Sequence, residues 1–192
     1  MTTTLKALTS LLLLVSVAFV TSPAHAKKIR GVELAETATI GGDELMLNGA
    51  GVRTKLILKL YVGSLYTTAK SNDAAAILDA DEPMAIRLNI ISDLLTKKKM
   101  VKSLKAGFKK STGGNTAAIQ PQIDQMLGLM QGKIGKKDQY TLNYKPGSGT
   151  RVTKNGEEVG VVEGLEFKKA LFGIWLSDNP AQSSLKAGML GK

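Results

Sequence analysis

The sequence predicts an α+β protein in which helices pack on one face of an antiparallel sheet. Strand-like segments come first, a block of helical segments follows, and then come three short strands and two final helices. Helices that are grouped in the chain, instead of alternating with strands, are typical of such a sheet. The Asn155-Gly156 pair is a strong hairpin signal and indicates antiparallel pairing of the last strands.

The first part of the chain after residue 26 is expected to be mostly strand. Ile29–Leu34 and Glu44–Leu47 are predicted as short strands on either side of a turn at Gly41-Gly42-Asp43. Thr54–Thr68 is rich in β-branched, aliphatic and aromatic residues and is too long for one straight strand. It therefore predicts two strand segments or one bent strand.

A short helix and a further strand are predicted next. Asn72 can cap a helix over Asp73–Leu78, because its side chain can accept a hydrogen bond from a free N–H group of the first turn. Pro83 then precedes Met84–Ile91, in which apolar residues nearly alternate.

Two longer helices are expected after this strand. Ser92 is the predicted N-cap of a helix that ends near Lys110. The second helix is expected to begin at Asn115 or at Gln120-Pro121, since proline suits a first helical turn. The apolar residues at helical spacing in this second helix are Ile119, Ile123, Leu127 and Met130.

The last part of the chain returns to strands and ends in helices. The predicted strands are Tyr140–Lys145, Thr150–Lys154 and Glu157–Val162. They are joined by turns at Pro146-Gly147-Ser148-Gly149 and at Asn155-Gly156. Gly164–Leu176 is predicted as a helix, and Asn179-Pro180 is expected to begin a final helix that ends near Gly191.

Residues 1–26 have the pattern of a secretory signal peptide. Lys6 supplies a basic start, Leu8–Val20 is apolar, and Ala24-His25-Ala26 is a cleavage site between small residues. The apolar run is shorter than the roughly 20 residues that span a bilayer. We therefore expect an exported protein, periplasmic or secreted, with a single domain over residues 27–192.

The composition of the exported part excludes several chemistries. Cleavage removes His25, the single histidine, and the chain has no cysteine. Cysteine nucleophiles, histidine-containing triads and imidazole or thiolate metal sites are therefore impossible, and no metal or cofactor is expected. Loss of Lys6 lowers the formal net charge from +10 to +9. The few arginines and aromatic residues argue against a nucleic-acid site, and we expect a monomer.

Arg53 is the first candidate site residue. Only four arginines occur in the chain, and Arg53 follows two glycines in Gly49-Ala50-Gly51-Val52-Arg53, which predicts a glycine-loosened turn before it. The following segment carries Tyr61 and Tyr66. Because a guanidinium is a planar fork of N–H donors, this setting indicates recognition of a carboxylate or an enolate.

Two motifs together resemble a known family. Leu47–Tyr66 and Phe167–Gly188, in this order, are similar to the chalcone isomerase-like family in its bacterial, exported branch. The resemblance covers nearly all of the chain after the signal peptide. It implies an open-faced β-sandwich with a ligand cleft between the sheet and its helices.

The resemblance also suggests roles for individual residues. Arg53 matches the arginine that the family's isomerases place beside the reacting enolate, and Tyr61 falls where they have a threonine. Their second tyrosine is missing, since no tyrosine lies between Tyr66 and Tyr140, and Lys97–Leu104 has no matching asparagine. An arginine and a tyrosine in the first two places are similar to the non-catalytic, fatty-acid-binding members. The resemblance therefore implies a non-enzymatic protein that binds an apolar carboxylate.

Other interpretations of these residues stay open. Arg53 could stabilise an enolate in an isomerase or intramolecular lyase. It could instead pair with Asp43 or Glu44 at a turn, with Tyr61 as ordinary strand core. In the carboxylate interpretation the ligand-binding residues are Arg53, Tyr61 and Tyr66.

The predicted helix after Ser92 is strongly basic. Seven lysines and no acidic residue lie between Lys97 and Lys110. The lysines expected on one face are Lys98, Lys102, Lys105 and Lys109, and the apolar residues expected on another are Leu94, Val101, Leu104 and Phe108. Such a face could bind an anionic lipid surface in a structural protein of the cell envelope, or it could simply be solvated.

Overall fold

A seven-stranded antiparallel sheet, with its strands in sequence order, forms the body of the protein. The computed structural model describes residues 26–192, so the predicted signal peptide, apart from Ala26, lies outside the described residues. The strands are β1 (Ala26–Ile29), β2 (Val32–Ala35), β3 (Thr37–Ile40), β4 (Asp43–Lys55), β5 (Leu58–Thr67), β6 (Met84–Ile90), β7 (Gln139–Lys145), β8 (Gly149–Lys154) and β9 (Glu157–Val162). The helices are α1 (Ala74–Asp79), α2 (Lys97–Ser111), α3 (Gln120–Leu129), α4 (Leu165–Leu176) and α5 (Ser183–Met189), with a short 3₁₀ helix at Ala117–Ile119. The predicted α+β class is confirmed.

The two faces of the sheet are covered differently. The larger apolar cluster lies between the sheet and the helices and includes Phe108 of α2 and Trp175 of α4. A smaller cluster on the other side joins residues of β3–β6 to Leu34 of the separate β1–β2 hairpin. Because both faces are covered there, β5 is buried without a break from Leu60 to Thr67.

The first strands differ from the prediction in two places. Ile29–Leu34 is not one strand, because Arg30 and Gly31 have positive φ angles, 52° and 80°, and turn the chain into the β1–β2 hairpin. The predicted turn at Gly49-Ala50-Gly51 is also wrong, since these residues lie inside β4. The turn falls at Leu56-Ile57, between the paired residues Lys55 and Leu58.

Gly49 lies inside a strand because another element packs directly against it. A Cβ atom on Gly49 would overlap the Gly188 carbonyl oxygen of α5 and would lie 2.8 Å from the Met189 carbonyl oxygen. The Asn48 side chain donates a hydrogen bond to the same Met189 oxygen, at 2.9 Å. Glycine here serves close backbone contact and not a turn.

Three helix starts fall later than predicted. Asp73, not Asn72, caps α1, and its Oδ1 accepts from the Ala75 and Ala76 N–H groups. Thr96, not Ser92, caps α2, because the Ser92 hydroxyl instead accepts from the Leu94 N–H in a preceding turn. The final helix begins at Ser183 and not at Asn179-Pro180.

Other local predictions are confirmed. Of the two predicted starts for the second long helix, Gln120-Pro121 is correct, with proline in the first turn of α3. The strands β7, β8 and β9 have the predicted positions, and Asn155 and Gly156 have the positive φ angles of a tight hairpin, 54° and 89°. Within residues 26–192, no helix is both long and apolar enough to cross a membrane.

A buried lysine of α4 connects that helix to α1 through hydrogen bonds. Lys168 of α4 is completely buried, and its Nζ donates to the carbonyl oxygens of Ile77, Leu78 and Ala80, at 3.2, 2.8 and 2.7 Å. These carbonyls lie at the C-terminal end of α1, where a helix has no further N–H groups to donate to them. Burial lowers the pKa of Lys168 from its usual 10.5 to about 8.

Candidate binding site

A cavity of about 180 Å³ lies between the sheet and the helices α2 and α4. Its lining is mostly apolar, and its polar groups come from Arg53, Lys55, Tyr61, Trp175 and the basic edge of α2. The residues that line it are Arg53, Lys55, Leu60, Tyr61, Leu95, Met100, Lys102, Ser103, Leu104, Ala106, Gly107, Lys110, Ile174, Trp175 and Ala181. An apolar cavity with a few polar groups is the usual form of a small-molecule site.

A second cavity of about 350 Å³ adjoins the first, and we call the first the inner cavity and the second the outer cavity. The two share Lys55, Leu60, Leu95, Lys102 and Ser103 in their linings. The outer part adds Leu56 and Leu58 of the β4–β5 hairpin and Leu94, which precedes α2. Leu94 was expected on the apolar face of the helix, but it lies outside α2 and is exposed. The inner cavity, which contains Arg53 and Tyr61, is thus adjacent to an outer cavity lined by leucines.

Arg53 and Tyr61 are direct partners across the sheet. Arg53 on β4 is paired with Tyr61 on β5, immediately before a register shift at Thr54. The two hydrogens of Arg53 Nη1 are used by the Thr54 carbonyl oxygen, at 2.8 Å, and by Gln182 Oε1, at 3.0 Å. The Nε and Nη2 groups are left for Tyr61 and for a ligand.

The alternative pairing of Arg53 with a nearby acid is wrong. Asp43 Oδ1 instead binds Lys145 Nζ at 3.2 Å, and no carboxylate within residues 26–192 forms an ion pair with Arg53. Asp43 and Arg53 stand near opposite ends of one 13-residue strand, which separates them.

Tyr61 is held as a neutral hydrogen-bond donor. Trp175 Nε1 donates to the Tyr61 hydroxyl oxygen at 2.9 Å, so the hydroxyl hydrogen remains free for another acceptor. Burial raises the pKa of Tyr61 above its usual 10, and the hydrogen bond from Trp175 and the charge of Arg53 offset only part of this. At neutral pH the pair therefore offers one cation and one neutral hydroxyl.

Gln182 fixes the position of Arg53, and sequence reasoning missed it. Its Oε1 accepts from Arg53 Nη1 and from the Thr54 N–H, at 2.8 Å, while its Nε2 donates to the Val52 carbonyl oxygen at 3.2 Å. The side-chain amide thus completes the β4 hydrogen bonding at the register shift. Trp175, which was not among the predicted site residues either, orients Tyr61.

Tyr66 does not belong to the cavity. It lies five positions after Tyr61 on β5, and side chains alternate between faces, so it points to the opposite side of the sheet. There it packs in the smaller cluster, with the Arg87 guanidinium 5.2 Å from its ring centre. The predicted ligand-binding role of Tyr66 is not compatible with this position.

The four lysines predicted to share a surface divide between two sides of α2. Lys102 lines both parts of the cavity, whereas Lys105 and Lys109 line a shallow groove against α3. Lys98 is exposed and lines neither. Lys110, which was not selected from the sequence, lines the inner cavity.

Other chemistries find little support in the described residues. No carboxylate or imidazole lines the inner cavity, so it offers no such group as a general base. In the part of the chain from residue 26 onwards, no three acidic, histidine or cysteine side chains are grouped as metal ligands.

The fold and the site define a class of protein in which a cavity lies between an antiparallel sheet and its helical layer. A family model described as chalcone isomerase-like matches residues 26–191, and the chain belongs to the chalcone isomerase-like family. Among curated proteins, none matches the sequence.

Solved structures have the same fold. The crystal structure of the Arabidopsis thaliana fatty-acid binding protein AtFAP1 superposes with a TM-score of 0.69 at 18% identity. The match covers 86% of this chain and 96% of that one. At this identity the similarity establishes a shared fold, a curled sheet with helices packed against it.

Proposed function

We propose that the protein is a non-enzymatic binding protein for an apolar carboxylate such as a fatty acid. The observation that carries the proposal is the placement of the Arg53 and Tyr61 donors in an apolar cavity that adjoins a second cavity lined by leucines. A fatty-acid-binding protein among the solved structures of the same fold supports it.

The carboxylate is proposed to bind between Arg53 and Tyr61. The free Nε and Nη2 groups can form a bidentate contact, and the Tyr61 hydroxyl can donate a further hydrogen bond. A hydrogen bond to a charged group contributes about 1.5–3 kcal/mol in such a setting. Trp175 and Gln182 keep both donors in position before a ligand arrives. Less side-chain conformational entropy is therefore lost on binding.

The tail is proposed to extend outwards, towards Leu56 and Leu94. The inner part, at about 180 Å³, is smaller than the ~300–1,000 Å³ usual for small-molecule sites, so a long chain needs the outer part as well. Burial contributes about 0.8 kcal/mol per methylene. The tail therefore supplies most of the affinity and the Arg53 fork supplies selectivity for an acid.

Binding of palmitate, compared with that of hexadecanol, tests the proposal. By calorimetry we expect palmitate to bind at least about tenfold more tightly than the alcohol, which has the same tail and no charge. Arg53→Gln should remove this preference and leave hexadecanol binding nearly unchanged. Arg87→Gln is the matched control, because Arg87 contacts Tyr66 on the opposite face of the sheet.

Other results would contradict the proposal. It fails if no acid is extracted from the native protein and palmitate does not bind, or if Arg53→Gln leaves the preference intact. Turnover of a chalcone that disappears in Arg53→Gln would support the enolate-stabilising alternative instead.

We also propose that the protein is exported to the periplasm or secreted. The basic, apolar and small-residue pattern of residues 1–26 supports this, as does the absence of cysteine. N-terminal sequencing of the protein from the extracytoplasmic fraction should show Lys27 as the first residue, which leaves most of β1 in place. Recovery of an intact Met1 terminus from the cytoplasm would contradict export.

A further inference from the structure

The large apolar side chains that are exposed within residues 26–192 lie together at the outer cavity. They are Leu56 and Ile57, each 90% exposed, Leu94 at 49% and Leu58 at 39%. Leu56, Leu58 and Leu94 line the outer cavity, and Ile57 lies between the first two in the hairpin turn. We call these four residues the apolar tip. Clustered exposed apolar residues of this kind usually mark a contact surface.

Backbone preference does not explain the residues of this turn. Leu56 has a φ angle of 55°, a conformation that glycine and asparagine adopt far more readily than leucine. Polar turn residues would therefore suit the β4–β5 hairpin better, both for the backbone and for contact with water. A leucine followed by an isoleucine is consistent with an apolar partner at this place.

Lysines surround the apolar tip. Lys55 and Lys59 flank the turn on β4 and β5, and Lys99 and Lys102 of α2 line the outer cavity. None of these four lysines forms an ion pair within residues 26–192. Asp93, the acidic residue next to Leu94, accepts a hydrogen bond from the Lys136 N–H and pairs with none of these lysines. The surface is thus an apolar centre with a positive surround.

We propose that the apolar tip inserts into the headgroup region of an anionic lipid bilayer. Leu56 and Ile57 enter the boundary between headgroups and acyl chains, and the lysines around them contact anionic headgroups. The outer cavity then opens at the lipid surface. This surface differs from the predicted lysine face, since it excludes Lys105 and Lys109, and it does not depend on the role of Arg53.

A site-specific fluorophore tests the insertion directly. Because the chain has no cysteine, Ile57→Cys provides a single labelling position for an environment-sensitive dye. Ser148→Cys is the matched control, since Ser148 is exposed in the β7–β8 hairpin turn. With vesicles of phosphatidylcholine and phosphatidylglycerol at three to one, the dye at position 57 should shift to the blue and become shielded from iodide. The dye at position 148 should not change.

Vesicle sedimentation identifies the residues responsible. Leu56→Gly with Ile57→Ser keeps residues that suit the turn and should weaken binding at least about tenfold. Lys99→Gln with Lys102→Gln should weaken it roughly tenfold, and Lys105→Gln with Lys109→Gln should have a much smaller effect. Every variant retains the same N-terminal segment, so any contribution from that segment is common to all of them.

Three outcomes would overturn the proposal. One is an absence of binding to the anionic vesicles. Another is binding during which the dye at position 57 stays in water. The third is an equal loss in the Lys105 and Lys109 variant, which would indicate the lysine face of α2 instead.

Discussion

Gly49→Ala is expected to destabilise the protein by about 3 kcal/mol or more, because one methyl group would separate α5 from β4. The added Cβ would overlap the Gly188 carbonyl oxygen and come within 2.8 Å of the Gly191 nitrogen. These are backbone atoms, so no side-chain rotation can relieve the overlap. The helix would have to move away and expose Leu185 and Met189, which are buried in the core.

Thermal and urea unfolding measure this effect, with Gly128→Ala as the control. Gly128 lies on the exposed side of α3 with nothing within 4 Å of an added Cβ, so alanine there should raise stability by ~0.5–1 kcal/mol. Displacement of α5 would also move Gln182 away from Arg53, so palmitate binding should weaken in Gly49→Ala. A Gly49→Ala protein with the stability of the wild type would show that α5 does not pack as described.

Lys168→Met is expected to lower the free energy of unfolding by about 3 kcal/mol. Methionine preserves the apolar part of the side chain. The carbonyl oxygens of Ile77, Leu78 and Ala80, however, lose their common hydrogen-bond donor. Each buried acceptor left without a partner costs about 1–3 kcal/mol. Removal of the buried lysine charge also removes its desolvation penalty, which offsets part of the total cost of the three acceptors. Loss of α1 from the helical layer should be the visible consequence.

Lys169→Met is the control, and pH provides a second test. Lys169 forms surface ion pairs with Asp79 and Glu166, so its replacement should lower stability far less than that of Lys168. The pKa of Lys168 is lowered to about 8, so between pH 8 and 10.5 the unfolded chain binds more protons at this site than the folded protein. Wild-type stability relative to Lys168→Met should therefore rise with pH across this range. Equal stability losses in the two variants would contradict the described role of Lys168.

Much of the fold could be predicted because its signals are local. Asn155 and Gly156 adopt positive φ angles that suit a hairpin whatever surrounds them, so the strands on either side were placed correctly. Pro121 likewise marks the start of α3. The glycines of β4 were misread because glycine serves both turns and close packing. Only the contact with Gly188, far along the chain, decides between these roles at Gly49.

The candidate site was predictable in part for the same reason. Arg53 and Tyr61 stand in a recognisable motif, and the structure pairs them across neighbouring strands. Trp175 and Gln182 were missed because their partners lie 114 and 129 residues away. Tyr66 was assigned to the cleft although its odd separation from Tyr61 already placed it on the other face of the strand.

The sequence by itself determined the chemical repertoire and the local elements. The chain has no cysteine, and its single histidine, His25, lies outside the described residues, so the charged donors available within residues 26–192 are arginine and lysine whatever the fold. The tertiary structure alone decided which of these donors face the inner cavity and which exposed leucines line the outer one. The physical reason is that burial and partner choice depend on elements distant in the sequence. Helix α4 brings Trp175 to Tyr61, and the residue before α5, Gln182, reaches Arg53.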